Sequence, residues 1–92
     1  MKVLKRNGTL QDYNLDKIKL SIERASDEVE QPFTLSDIEV LSRDIHREVT
    51  KLERDIIQSE EIHNIVYNQL NGSGFSKIAK RYANYARRTK QN

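Results

Sequence analysis

Residues 3–18, which read VLKRNGTLQDYNLDKI, decide how this chain folds. Asn7-Gly8 stands between two short β-prone runs, and this dipeptide is typical of a two-residue hairpin with a type I′ turn. Asn14 then has the side chain of a helix N-cap, and a helical pattern begins at Leu15. The stretch therefore predicts a β-hairpin over about residues 2–13 that leads directly into a helix.

Beyond the hairpin, apolar residues recur at spacings of three and four, which is the pattern of amphipathic helices. Thr34 is expected to cap the second helix and Gly72 to end the third. A two-stranded hairpin is not stable alone in water, so it must lie on the helices. We predict an α+β fold, mostly α: a four-helix bundle capped by an N-terminal β-hairpin or small sheet, in one domain spanning residues 1–92. The helices are predicted at about residues 15–29, 34–53, 59–71 and 75–90.

The composition excludes several classes of function. The 92 residues include no cysteine, so disulfides, thiol catalysis and cysteine-ligated zinc sites are excluded for this chain. No apolar run is long enough for a signal peptide or a membrane span, and a cytoplasmic protein without a membrane partner is therefore expected.

The sequence also lacks a recognisable catalytic constellation. Adjacent carboxylates such as Glu60 and Glu61 diverge on a helix, so they do not form a general acid–base pair. His46 and His63 have no partners at metal-ligand spacing, and the glycine-containing segment 72–75 lacks the lysine of a Walker loop. We therefore predict neither an enzyme nor a protein-bound metal site.

Charge is distributed unevenly along the chain, although the net charge is only +2. Twelve of the fourteen acidic residues lie within 23–61, whereas residues 74–92 contain six basic residues and no acidic one. Lys77, Lys80 and Arg81 share one face of the last helix, which suits contacts with nucleic-acid phosphates. A small nucleic-acid-binding module of a transcription regulator is thus the alternative function. The low net charge and the core-like spacing of the tyrosines disfavour it.

Three cations near the N-terminus favour a phosphorylated small ligand instead. Lys5 and Arg6 lie at the turn end of the hairpin, and Lys17 lies in the first turn of the next helix. Arginine offers a planar fork and lysine a point charge, a combination that suits a polyphosphate. Ser59 and the N–H groups at the start of the third helix add donors. The alternative for each residue is a surface ion pair, such as Lys5 with Asp12.

Taken together, these features resemble the ATP-cone, a small regulatory nucleotide-binding domain. ATP-cones occur at the N-terminus of many ribonucleotide reductase large subunits and in the zinc-containing bacterial repressors of reductase genes. The matching pieces follow one another over nearly the whole chain, at residues 3–8, 15–18, 59–62, 78–82 and 85–88. The resemblance implies a domain without catalysis, in which ATP and dATP compete for one site. Their balance would change the oligomeric state of the attached protein.

The resemblance also implies which residues bind the nucleotide. They are Val3, Lys5, Arg6, Gln11, Asn14, Lys17, Ile18, Ser59 and Arg88. Val3 and Ile18 would pack on the base, and the whole stretch 11–17 would line the pocket. Arg88 is chosen because a lysine that reaches the phosphates in some members aligns with Thr89. The implied ligand is ATP or dATP, with Mg²⁺ left open, and the implied partner is a ribonucleotide reductase catalytic domain or a second copy.

ATP and dATP differ by a single 2′-hydroxyl, so discrimination needs a polar group placed against it. Asn14 and Gln11 are the candidates for this contact. With the wrong nucleotide, a buried donor or acceptor would be left unpaired, which costs roughly 1–3 kcal/mol.

Overall fold

The computed structural model describes the backbone of residues 1–91 and the side chains of residues 1–84. Four helices form a bundle in which each packs against two others, and a small sheet lies beside them. The predicted fold class, mostly α with a small N-terminal sheet, is confirmed. The elements are β1 (Lys2–Leu4), β2 (Leu10–Asp12), α1 (Leu15–Glu28), α2 (Leu35–Lys51), β3 (Ile56–Gln58), α3 (Ser59–Gly72) and α4 (Ser76–Gln91).

The hairpin turn differs from the prediction. Gly8 donates its N–H to the Lys5 carbonyl at 3.0 Å, and Lys5 donates to the Thr9 carbonyl at 2.8 Å. Gly8 has a φ of +87°, but Asn7 does not have a positive φ. A type I′ turn needs a positive φ at both central residues, so the prediction of a two-residue type I′ turn is wrong. The loop has three residues, with a type I turn followed by a left-handed glycine. The Asn7 side chain accepts hydrogen bonds from the N–H and hydroxyl of Thr9, and the first of these forms an Asx turn within the loop.

A third strand completes the sheet. β1 is the central strand, antiparallel to β2 and parallel to β3. Val3 is paired with Gln11 on one side and with Ile57 on the other. The sequence predicts no element at residues 56–58, because three residues are too few for an alternating pattern to be recognised. Since β3 leads directly into α3, the sheet is held against the first turn of that helix.

The core lies between the four helices and the inner face of the sheet. Val3 and Ile57 enter it from β1 and β3, and both are buried. The helices contribute apolar side chains at helical spacing, which is why they pack together. Their most buried members include Ile22, Ala25, Leu41, Ile45, Val49, Val66, Leu70, Ile78 and Ala79. Among the described residues, no helix is long and apolar enough to cross a membrane.

The end of α3 also differs from the prediction. Gly74, and not Gly72, is the left-handed residue that ends the helix, with a φ of +90°. The N–H of Phe75 donates to the Leu70 carbonyl at 2.9 Å, and that of Gly74 donates to Asn71 at 3.2 Å. These two hydrogen bonds form a Schellman motif. Gly72 and Gly74 are two residues apart, and either could end a helix by its residue type. The hydrogen bonds show that Gly72 is helical and that Gly74 ends the helix.

Candidate functional site

An open cleft lies where the sheet meets the first turns of α1 and α3. Its empty volume, counted together with the open solvent at its mouth, is about 580 Å³. It brings together seven of the nine residues that the resemblance assigned to nucleotide binding: Val3, Lys5, Gln11, Asn14, Lys17, Ile18 and Ser59. Of the other two, Arg6 lies beside the cleft. Arg88 lies outside the residues whose side chains the structure describes.

The sheet register places side chains from two strands on the wall of this cleft. Val3 in β1 is the direct partner of Gln11 in β2, so both side chains lie on the same face of the sheet. Val3 is buried and Gln11 is exposed. This wall therefore combines an apolar surface with an amide at the rim.

Two helices begin at the cleft. The N-cap prediction for Asn14 is confirmed, because its Oδ1 accepts the N–H of Asp16 at 3.0 Å and of Lys17 at 3.3 Å. Ser59, at the start of α3, is 92% buried. A helix N-terminus carries partial positive charge and N–H groups without helical partners, so both helix starts favour an anion. Since the Asn14 oxygen is engaged in capping, its amide N–H₂ is the part available to a ligand.

Lys5 and Lys17 supply the positive charge of the cleft. Among the described residues, neither side chain forms an ion pair or a hydrogen bond. The ion pair considered for Lys5 is not formed, because Asp12 pairs with Lys2 at 2.5 Å. The hydrogen bond and charge of Lys2 hold the pKa of Asp12 below its usual range. Asp12 is therefore ionised but compensated, and the two cleft lysines leave a net positive charge that attracts phosphate.

Arg6 is directed to the start of α3 rather than into the cleft. Its Nε donates to Oε1 of Glu60 at 3.0 Å, and its Nη2 donates to the same oxygen. A second hollow lies on this side, and it shares Lys5 and Ser59 with the cleft. The Arg6 and Glu60 side chains are 54% and 39% exposed, so solvent screens their attraction. Arg6 thus lies next to the cleft with its guanidinium already engaged.

Four lining residues were not assigned from the sequence: Ser21, Ile62, His63 and Tyr82. Ser21 follows Lys17 by one helical turn, and Ile62 and His63 follow Ser59 in the same way. Helical spacing from the assigned residues was the signal that could have found these three. Tyr82 has the spacing of a core residue and is indeed buried. Only the packing of α4 against α1 and α3 brings it to the cleft.

Tyr13 connects the cleft to α2. Its hydroxyl lies 3.2 Å from Nδ1 of His46, and the two rings are stacked with centroids 5.8 Å apart. Burial raises the pKa of Tyr13, so the hydroxyl stays protonated and can donate to an unprotonated Nδ1. The contact fixes the aromatic ring at the edge of the cleft, between the hairpin and the bundle.

The sequence profile of one family, the ATP cone domain, matches residues 1–91. A comparison with curated protein sequences finds no significant match. The matched range includes the hairpin, β3 and both helix starts that form the cleft. ATP cones bind ATP or dATP as allosteric ligands. The chain therefore belongs to the ATP-cone family and is a nucleotide-binding regulatory domain.

Proposed function

We propose that this chain is the allosteric sensor of a ribonucleotide reductase and binds ATP or dATP in the cleft. The observation that carries the proposal is the position of Lys5 and Lys17, two lysines without ion partners among the described residues, where α1 and α3 both begin. Two cations and two helix N-termini at one place match the charge of a triphosphate.

The triphosphate would lie across Lys5, Lys17 and the first turn of α3, where Ser59 adds a hydroxyl. Val3 and Ile18 would pack against the base, since both offer apolar surface on the cleft wall. Gln11 and the Asn14 amide are the proposed contacts to the ribose, where ATP and dATP differ. Arg6 would join the phosphates after leaving Glu60.

The cleft is assembled from parts far apart in the chain, which supports a regulatory role. A nucleotide would bridge the hairpin, α1 and α3, and so could change the position of the hairpin on the bundle. ATP and dATP regulate in opposite directions only if they stabilise different positions, because equal affinity for both states shifts nothing. The responding partner would be the reductase catalytic domain or a second copy of the chain, and the catalysis would belong to the reductase.

Calorimetric titration with ATP and dATP, with and without Mg²⁺, tests the proposal, with GTP as the control nucleotide. Lys5→Ala and Lys17→Ala should each weaken ATP binding about 10- to 100-fold, since a hydrogen bond to a charged group contributes roughly 1.5–3 kcal/mol. Lys77→Ala is the matched control, because Lys77 is exposed on α4 and does not line the cleft. Unchanged affinity in both cleft variants would contradict the proposal.

The alternative function is nucleic-acid binding by α4. The structure supports it less than the sequence pattern did. Arg81 donates from Nε to Oε1 of Glu28 at 2.7 Å, and both side chains are about two-thirds buried. Of the three basic residues on that face, one is therefore engaged by a carboxylate. Duplex DNA binding by the wild-type chain that is lost in a Lys77→Ala/Lys80→Ala variant would favour the alternative.

A further inference from the structure

Tyr82 places a phenol side chain on the wall of the cleft. Its side chain comes from α4, is 5% exposed and lines the cleft. Among the described residues its hydroxyl has no hydrogen-bond partner. A phenol hydroxyl can donate and accept a hydrogen bond, so one that lines a cleft can bond to a ligand bound there. A ligand in the cleft can therefore supply the hydrogen-bond partner of the Tyr82 hydroxyl.

The order of residues along two helices locates Tyr82 within the cleft. Lys17 and Ser59 lie in the first turns of α1 and α3, at the cationic end. One turn further along α3, which is about 5.4 Å, lies His63. The His63 ring meets the Tyr82 ring edge to face, with centroids 6.0 Å apart. Tyr82 is therefore at the inner end of the cleft, beyond the groups that suit phosphate.

The environment of Tyr82 also determines its protonation state. Burial raises the pKa of Tyr82 well above its usual range, so the side chain is a neutral phenol at physiological pH. A neutral phenol can both donate and accept a hydrogen bond, and it does not repel an anionic ligand.

We propose that the Tyr82 hydroxyl forms a hydrogen bond with the base of the bound adenine nucleotide. A triphosphate on Lys5 and Lys17 extends its nucleoside toward the inner end, and the base is the part farthest from the phosphates. Tyr82 is then a specificity-determining residue that makes affinity depend on the nucleoside. This inference rests on the proposed nucleotide function of the same cleft.

Tyr82→Phe keeps the ring and removes only the hydroxyl, and calorimetry would measure its binding of ATP, dATP and inorganic tripolyphosphate. ATP and dATP affinity should both fall about threefold to tenfold, the range of one neutral hydrogen bond. Tripolyphosphate affinity should not change. Tyr67→Phe is the matched control, since Tyr67 is partly buried on α3 but does not line the cleft.

Thermal unfolding without nucleotide separates this role from a structural one. Because the hydroxyl has no described partner in the nucleotide-free structure, Tyr82→Phe should be at least as stable as the wild type. Unchanged ATP affinity, an equal loss for tripolyphosphate, or a loss confined to ATP would overturn the inference. If the wild-type chain itself fails to bind ATP, the proposed function fails first, and this result is distinguishable from failure of the Tyr82 contact alone.

Discussion

At the scale of single residues, the charge of the cleft depends on which carboxylate each cation meets. Lys2 engages Asp12 across the hairpin, and Arg6 engages Glu60 at the start of α3. Lys5 lies between these pairs and, among the described residues, has no ion partner. The two ion pairs are at least one-third exposed, so each contributes little to stability. The two ion pairs matter because they determine which cations remain available to bind a ligand.

Glu60 is expected to compete with the nucleotide for Arg6. Glu60→Gln should therefore raise ATP affinity about twofold to fivefold at low salt, since an exposed ion pair contributes roughly 0.2–1 kcal/mol. Calorimetry at two salt concentrations would measure the effect. Glu39→Gln is the control, because Glu39 pairs with Lys19 outside the cleft. A lower affinity in Glu60→Gln would show that the pair positions the hairpin instead.

At the scale of elements, helix ends are determined by local hydrogen bonds. Thr34 accepts from the Asp37 N–H at 3.1 Å, and the Asp37 carboxylate accepts from the Thr34 N–H at 2.8 Å, which confirms the predicted cap. The C-terminal end of α3 is decided by backbone conformation at Gly74 instead. A cap made by side chains can be recognised in the sequence from the residue types. A left-handed glycine cannot be recognised in this way, because a helical glycine has the same residue type.

Substitution of the two glycines at the end of α3 should have opposite effects. Gly74→Ala should lower the free energy of unfolding by about 1 kcal/mol, because a φ of +90° is strained for an L-residue. Gly72→Ala should raise it by about 0.5–1 kcal/mol, because Gly72 is helical. An added Cβ meets nothing within 4 Å at either position, so the difference is conformational. Urea unfolding would measure both, and equal effects would contradict the assignment.

The junction between β3 and α3 should make stability dependent on pH. Glu61 accepts a hydrogen bond from Arg54 at 2.6 Å and from the Gln58 N–H at 3.0 Å, and these contacts lower its pKa. A carboxylate with a lowered folded pKa stabilises the protein above its unfolded pKa, here 4.5, and loses this contribution as pH falls through the folded pKa. Acidification below pH 4.5 should therefore destabilise the wild type.

Glu61→Gln should show a smaller loss of stability over the same acidic window, because its side chain does not titrate. Urea unfolding at a series of pH values from 6 downward would measure the difference. Glu53→Gln is the control, since Glu53 is exposed and, among the described residues, forms no ion pair. Identical pH profiles for Glu61→Gln and the wild type would contradict the prediction.

At the scale of the whole molecule, the cleft joins segments that are distant in sequence. Lys5 directly follows β1, whereas Lys17 lies in α1, Ser59 in α3 and Tyr82 in α4. Only folding brings them together, so the binding site is absent from the unfolded chain. Ligand binding and folding are therefore thermodynamically linked.

ATP should stabilise the folded chain by an amount that grows with the logarithm of its concentration above the dissociation constant. At a concentration 100 times the dissociation constant, the free energy of unfolding should rise by about 2.7 kcal/mol. Thermal unfolding over an ATP series would measure this, with Lys5→Ala/Lys17→Ala as the control that should show a much smaller shift. Equal stabilisation of both chains would place ATP somewhere other than the cleft.

Features that depend on neighbours along the chain could be predicted from the sequence. These are the four helical patterns, the caps at Asn14 and Thr34, the hairpin position, and the presence of Lys5 and Lys17 beside predicted helix and turn ends. Each has a signal within a few residues, because helices, caps and turns are stabilised by local hydrogen bonds and local side-chain spacing.

The remaining features depend on residues far apart in sequence, so they could be read only from the folded structure. Residues 56–58 become a strand only by pairing with β1, and Arg6 meets Glu60 only after the hairpin lies on α3. Tyr82 has the spacing of any core residue, and the packing of α4 against α1 and α3 places it in the cleft. Long-range pairing and packing leave no local pattern in the chain, so the elements follow from the sequence and the arrangement of the cleft follows from the fold.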